Sequence, residues 1–387
     1  MASTDDDINS LKVTHVAGTK GKGSTCAFVE SFLHITERIR IDFAPLSHDA
    51  FAKYVFKIRD GLRLRLQPNR SRPRYLQLLA LVSFHAFLQE KVDVAIYETH
   101  SGGEYCATNV IQQPIVTGLT RIGMDHVHSL GPTIENIAWH KAGIFKTGSP
   151  ALSQIQEHAV ARVLQQRALA KGIDLQFIDM CNDLRASLPV EQRSNASLAV
   201  ALANTFLSRT EPDPSRAFLT RNDIQQGVKQ FSWPARYQTI RVNNCLWCLD
   251  GAHNEFSIGT TAEWFQKLST TAPSMRILVF AQKASKSDST SVLRRLVQAL
   301  DVEIHHVIFT TCGNEGTSSV PSGGFRQCWT SSASFPSTTW LEPTHAQVMA
   351  RVVSLSSTAD NIHILVTGSL HLVGSILNHL KSEEPSG

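Results

Sequence analysis

The stretch LKVTHVAGTKGKGSTCAFVESFLH, residues 11–34, constrains the fold more than any other part of the chain. An apolar strand-like run passes through three glycines and leaves as an apolar helix-like run. Glycine lets a backbone turn tightly and bring its N–H groups close to a ligand. A helix start just beyond adds free N–H groups and a partial positive charge. Gly18, Gly21, Lys22, Gly23 and Ser24 read G-x-x-G-K-G-S, a shorter relative of the phosphate-loop string G-x-x-x-x-G-K-[ST]. The pattern predicts an anion cradle suited to a nucleoside triphosphate. Gly18, Thr19, Gly21 and Gly23 would line it, and Lys22 would meet the outer phosphates. The hydroxyl of Ser24, or of Thr25, would bind Mg2+. The plain alternative is a glycine-rich turn with an unrelated lysine.

At 387 residues the chain has room for two domains. Hydrophobic residues at 42% and charged residues at 18% suit a globular protein. No apolar run approaches the roughly 20 residues of a membrane span. The net charge of +4 does not argue for nucleic acid. The start, MASTDDDINS, has neither a secretory nor a transit-peptide pattern, so the expected compartment is the cytoplasm. Seven dispersed cysteines suggest reduced thiols. Cys245 and Cys248 form one C-x-x-C inside the apolar run NCLWCLD. A strand there sends the two side chains to opposite faces, so both read as packing residues.

Apolar strands alternate with helical patterns along most of the chain, which predicts an α/β fold with a mostly parallel sheet covered on both faces. SNASLAVALANTFLSR reads as a helix capped by Ser194 or Asn195. Residues 210–238 are polar and proline-bearing and read as an inter-domain connection. A second alternating series follows. Residues 318–339 read as a Ser/Pro/Gly-rich loop and KSEEPSG as a frayed tail.

In open parallel sheets, ligands sit at the carboxyl ends of the strands. VDVAIYE delivers Glu98 there, either a metal ligand or a solvent-exposed residue opening a glycine turn. QPIVTGLT runs into Asp125, His126 and His128, which suit a second metal ion or a proton relay, the plain alternative being a surface histidine in a loop. Lys141 falls on a mostly apolar helix face. Most such lysines snorkel to water, and a buried one needs a partner. LDGAHN brings Asp250, His253 and Asn254 to a strand end, where Asp250 suits a ribose hydroxyl. Arg236 in WPARYQ is placed to reach phosphate.

Seven segments occur in order: HVAGTKGKGST, YETHSGGEYCATNVI, GMDHVHSLGPTIENIAWHKAGIFK, NASLAVAL, WPARYQ, LDGAHN and VTGSLHLVG. Together they resemble the folylpolyglutamate synthases, especially the fungal ones, within the Mur-type amide ligase superfamily. The resemblance runs from about residue 11 to about 378. It implies a Mur-ligase-like ATP-binding phosphate-loop domain over 1–232 and a smaller Rossmann-like ligase domain over 233–387, with the active site between them. It also implies ATP-dependent addition of L-glutamate to the γ-carboxyl of a folate through an acyl phosphate. Carried over by motif, Lys22, His126 and Lys141 are the catalytic residues, and Lys141 resembles a lysine that is carbamylated in the family. Ser24, Glu98 and His126 would hold Mg2+. Gly18, Thr19, Gly21, Lys22, Gly23, Ser24, Thr25, Arg236, Asp250, His253 and Asn254 would contact ATP. The implied cofactors are ATP, Mg2+ and a monovalent cation such as K+. The implied partners are small molecules (a folate or related carboxylic acid, L-glutamate and ATP), with no nucleic acid or membrane, and the chain is expected to act as a monomer. Mitochondrial forms occur in the family.

The chain departs from the family at several points. A strand and a T-S-P-H-L loop that face the substrate are missing after the first helix, so RIRIDF would have to serve as the crossover's partner strand. The family's helix before the phosphate loop is missing too. EYCATN has Cys106 where similar fungal proteins have an acid, and WPAR replaces WPGR. Two further readings fit the same motifs: a ligase for a different carboxylic acid, and a nucleotide-binding protein without turnover.

Overall fold

The computed structural model describes residues 5–33, 40–41, 44–65, 73–184, 188–231, 233–269, 273–282, 290–312 and 324–382. It divides into two compact units, Met1–Phe231 and Ser232–Gly387.

In the first unit a short helix α1 (Asp5–Asn9) precedes β1 (Val13–Ala17), a fully buried strand. The glycine turn then leads into α2 (Lys22–Leu33). Next come β2 (Arg40–Ile41), β3 (Ala44–Pro45), α3 (His48–Arg65), α4 (Tyr75–Glu90) and β4 (Ala95–Glu98). The chain continues through β5 (Val116–Leu119), α5 (Val127–Leu130), α6 (Ile134–Lys141), β6 (Ala151–Gln154), α7 (His158–Ala170) and β7 (Leu175–Ile178). Helices α8 (Val190–Thr210) and α9 (Arg221–Gln230) complete the unit. Five strands form a parallel sheet in the order β4-β1-β5-β6-β7. Side chains alternate between its faces with the strand period of two. Val16, Ile96 and Val116 pack toward α2 and α8. Val13, Ala17, Ala95, Tyr97 and Leu119 pack toward α4, α6 and α7.

The second unit begins with β8 (Gln238–Val242), β9 (Cys245–Leu249), α10 (Glu255–Leu268), β10 (Met275–Phe280) and α11 (Ser291–Ala299). It continues with β11 (His306–Phe309), α12 (Gly324–Ser332), β12 (Thr338–Leu341), α13 (His345–Ser356), β13 (Ile362–Thr367) and α14 (Leu370–Ser382). Its sheet runs β12-β11-β10-β13-β9-β8, all parallel except the antiparallel β8–β9 pair. Helices α10, α11 and α12 cover one face and α13 and α14 the other. Both units are thus the helix-covered, mostly parallel sheets expected from the alternation. Cys248 lies in the first of these core layers and Cys245 in the second, so the C-x-x-C does split across the strand.

Five local expectations are corrected. RIRIDF does not enter the main sheet, because β4 and β5 already occupy both edges of β1. Its Arg40–Ile41 portion pairs antiparallel with Ala44–Pro45, and Arg38, Ile39, Asp42 and Phe43 lie outside the described residues. Helix α8 starts at Val190, so Ser194 and Asn195 sit inside it rather than at its cap. The polar stretch 210–238 does hold the division between the units, at 231/232, but it is more than a connection: it contains α9, whose start is a capping box between Thr220 and Asp223. The 318–339 stretch contains α12, in which Phe325, Cys328 and Trp329 are buried at helical spacing, and the start of β12. Residues 318–323 of that stretch and 383–387 of the tail lie outside the described residues. A helix also precedes the glycine turn, the short α1, which packs Ile8 against the α4 layer.

Candidate active site

The glycine turn sits at the carboxyl end of β1, where a parallel sheet presents its loops. Gly18 has φ +146°, and a Cβ there would lie 1.8 Å from Thr120 Oγ1. Gly21 has φ +84°, and its Cβ would lie 2.1 Å from Asn195 Oδ1. Both positions therefore require glycine for conformation and for space. Thr19 fastens the turn to the next loop: its N–H donates to Arg121 O at 3.0 Å, and its hydroxyl lies 3.0 Å from Gly123 O. Lys22, Gly23 and Ser24 form the first turn of α2, whose amides lack intrahelical acceptors as at any helix start. Ser24 is buried, with its hydroxyl 3.5 Å from Gln192 Nε2. The Thr25 hydroxyl instead donates to Asn195 O, also at 3.5 Å, so it turns into α8.

Lys22 Nζ lies 3.7 Å from Glu98 Oε1, which links the turn to the end of β4. Lys141 does not snorkel; it is 1% exposed. Its ammonium donates to Gly18 O at 2.8 Å and to Ser101 O at 3.2 Å, tying together the loops after β1 and β4. Burial, reinforced by the charges of Lys22 and Lys20, lowers its pKa to about 7 against the opposing pull of Asp125 and Cys106. Gly103 presses its backbone against the carbonyls of His140 and Lys141, where a Cβ would come within 2.5 and 2.6 Å. That contact fixes the end of α6 beside the loop.

His126 adopts a left-handed φ of +51° just before α5, and its N–H donates to Asp125 Oδ1 at 2.9 Å. Its imidazole is about half exposed and lies 3.9 Å from Asp125 Oδ2. Ser24 and Glu98 offer hard oxygen donors, and His126 adds a nitrogen. Among the described residues no group of three or more His, Cys, Asp and Glu is arranged to hold a metal ion. A cation here would therefore complete its shell with phosphate and water oxygens, which is the habit of magnesium. The oxygens of Ser24 and Glu98 are of the donor class that ion takes, while the partners of His126 lie in its own loop.

Cys106 belongs to a hydrogen-bonded cluster behind the Glu98 loop. Its sulfur lies 3.4 Å from both His100 N and His100 Nδ1, and 3.2 Å from Thr108 Oγ1. The same Thr108 hydroxyl is 3.0 Å from His15 Nε2 in β1. Burial raises the thiol's pKa, but the hydrogen bonds from His100 and Thr108 outweigh it and bring it down to about 7. Burial, assisted by the charge of Lys146, drives His15 down to about 3 and keeps it neutral.

In the second unit, Asp250 follows β9 and is 3% exposed. Its Oδ2 accepts from Tyr237 N at 3.0 Å, while its Oδ1 accepts from Ala252 N at 3.0 Å and Thr261 Oγ1 at 2.8 Å. Burial raises its pKa, opposed by the charge of Arg236 and by those hydrogen bonds. Arg236 Nη1 lies over Gly251, where a Cβ would come within 2.8 Å of it. His253 Nδ1 is 2.9 Å from Gly251 O. Asn254 caps α10, its Oδ1 accepting from Ser257 N at 3.1 Å.

Three buried amides near the glycine turn carry no signal that the sequence reveals. Gln154 Nε2 donates to Asn195 Oδ1 at 3.0 Å, and Asn195 Nδ2 donates to Gln192 Oε1 at 3.3 Å. Gln192 then reaches Ser24. Isolated glutamines match no catalytic spacing, and Asn195 resembles a helix cap in sequence.

Residues 234–379 match the family model "Dihydrofolate synthetase, C-terminal domain". The chain is 36% identical to the folylpolyglutamate synthase of Neurospora crassa, over 98% of this chain and 83% of that one. That alignment runs over 440 positions, more than the 387 residues present, so the relative carries segments this chain lacks. Identity to the probable folylpolyglutamate synthase of Schizosaccharomyces pombe is 33%, over 96% of this chain and 84% of that one. A solved FPGS–AMPPCP complex superposes with a TM-score of 0.77 at 25% identity, covering 97% of this chain and 93% of that one. Ordered motifs, two helix-covered sheets and near-full-length identity converge: the chain belongs to the folylpolyglutamate synthase family.

Proposed function

We propose that this chain is an ATP-dependent ligase that adds L-glutamate to the γ-carboxyl of a folate, with the first unit binding ATP and the second acting as its Rossmann-like ligase domain. The observation that carries this reading is the cradle: two glycines with positive φ, wedged against Thr120 and Asn195, open onto α2 with Lys22 beside Glu98. The amides of the first turn and the Lys22 ammonium bind the triphosphate. The folate carboxylate attacks the terminal phosphorus and ADP leaves. The glutamate amine then attacks the acyl carbon and phosphate leaves, giving the amide. Ser24, Glu98 and His126 would hold Mg2+, which supplies charge neutralisation on the phosphates. Lys141, with its pKa lowered to about 7, has a neutral amine fraction available to take up carbon dioxide as a carbamate, which would turn a buried cation into an anion. Arg236, Asp250, His253 and Asn254, at the start of the second unit, would contact ATP. Seven free cysteines suit a reducing compartment, and we assign the cytosol.

Purified protein given ATP, Mg2+, tetrahydrofolate and glutamate should release ADP and a lengthened glutamyl chain. Lys22→Ala should lower kcat by about a hundredfold or more, as expected for losing a cation on a transferring phosphoryl group. ADP release that is independent of both folate and glutamate would overturn the reading. The substrate-facing T-S-P-H-L element that the sequence lacks after the first helix motivates a second one, with the same chemistry on a different carboxylic acid. ADP release stimulated by that acid, with folates inert, would select it.

A further inference from the structure

We infer that His100 and Cys106, on the loop that follows β4, form a binding site for a soft divalent cation of the zinc type. The site is separate from the residues proposed above to hold Mg2+, and it does not depend on the functional reading.

Two donors define it. Cys106 Sγ lies 3.4 Å from His100 Nδ1. Zinc binds a thiolate sulfur at about 2.3 Å and an imidazole nitrogen at about 2.0 Å, so a tetrahedral ion shared by the two holds them about 3.5 Å apart. The pair already has the spacing of two ligands on one ion, and a small turn of the imidazole lets both lone pairs meet it. Both residues are half-buried, beside Tyr105, which is 81% exposed, so an ion can reach them from solvent.

The sulfur is also held in place. The His100 N–H donates to it at 3.4 Å, and Thr108 Oγ1 lies 3.2 Å from it. The Thr108 hydroxyl is in turn 3.0 Å from Nε2 of the buried His15 in β1. Outer contacts of this kind orient a metal ligand and tune its affinity. Burial would raise the thiol's pKa, but these hydrogen bonds outweigh it and bring it to about 7. The thiol proton therefore leaves readily for water when the ion takes the sulfur lone pair. Among the described residues no third His, Cys, Asp or Glu joins the pair, so water completes the shell and the ion exchanges with solvent. Thiolate and imidazole select zinc or cobalt over magnesium, which prefers oxygen donors. An ion here bridges the two ends of the segment 100–106. That segment carries the Ser101 carbonyl that accepts from Lys141 Nζ, and the Gly103 backbone pressed against the end of α6.

Cobalt chloride titrated into the full, reduced chain with Mg2+ in excess tests this. One equivalent should produce a thiolate-to-cobalt charge-transfer band in the near ultraviolet, and zinc chloride should abolish the band by displacing cobalt. Cys106→Ser should lose the band. His100→Ala should weaken cobalt binding by about a hundredfold, and Thr108→Val, which alters only an outer contact, by about tenfold. No band in the wild-type chain, or a band that survives in Cys106→Ser, would overturn the site. Unchanged cobalt affinity in His100→Ala would overturn it too, and that variant decides the matter if Cys106→Ser does not fold.

Discussion

Lys141 shows how much one buried side chain carries. Its ammonium satisfies two carbonyls and, among the described residues, pairs with no carboxylate at contact distance, and burial lowers its pKa to about 7. The folded state therefore releases this proton near neutrality, whereas the unfolded chain keeps it until about 10.5. Between those values the unfolded state binds more protons, so the Lys141 contribution to stability rises with pH. Urea midpoints measured at several pH values should climb across that window in wild type, and Lys141→Met should flatten the climb. An equal slope in both would contradict the assignment. Cys106 gives a second prediction at this scale. Its thiol, lowered to about 7, should react with iodoacetamide ahead of the other cysteines, with a pH profile inflecting near 7, while buried Cys248, pushed up to about 12, stays inert. Labelling of Cys181 or Cys312 ahead of Cys106 would refute it. At this scale, sequence reading singled out residues whose chemistry is carried by type and spacing: Lys22, Glu98, Lys141, Asp250. It missed Gln154 and Gln192, because an amide gains its role only from what folding brings beside it. It left Lys141 open between reaching water and burial with a partner, because nothing local reveals that the loops after β1 and β4 close over α6.

Elements were legible where the apolar period was strong and obscured where composition misled. The buried strands and the long helices follow their periodicity. Helix α8 begins four residues before Ser194 because Val190–Arg193 continues its turns, and a capping residue type in sequence does not guarantee a cap. Helix α9 was hidden by polarity, since it buries only Ile224 and Gly227. Gly227 meets Phe32 so closely that a Cβ would come within 2.3 Å, and its carbonyl accepts from Ser31 Oγ at 2.5 Å. Gly227→Val should push α9 off α2 and destabilise the first unit by about 2 kcal/mol, read as a lower denaturant midpoint. An unchanged midpoint would show that this contact holds nothing in place. Helix α12 was hidden by its Ser/Gly/Pro surroundings, although Phe325, Cys328 and Trp329 carry the period of a buried face.

At the scale of the whole molecule, two units each own a core, and units of this size unfold with some independence. Phe28 is fully buried and stacks on Phe231 with ring centroids 3.7 Å apart. Phe28→Ala should cost about 3–5 kcal/mol and lower one calorimetric transition while leaving the other in place. Equal shifts in a single transition would show instead that the units unfold together. The family resemblance was legible because seven motifs occur in one order over nearly the whole chain. The place of RIRIDF was not, because β4 takes the position beside β1 that this segment was expected to fill.

The central claim is that this chain spends ATP to activate a carboxyl group. Supplying tetrahydrofolate with heavy oxygen in its γ-carboxylate, together with ATP and glutamate, tests it most directly. An acyl phosphate carries one carboxyl oxygen away with the phosphoryl group, so the released phosphate should contain one heavy oxygen per amide formed. Phosphate free of label, released as the amide forms, would contradict the account.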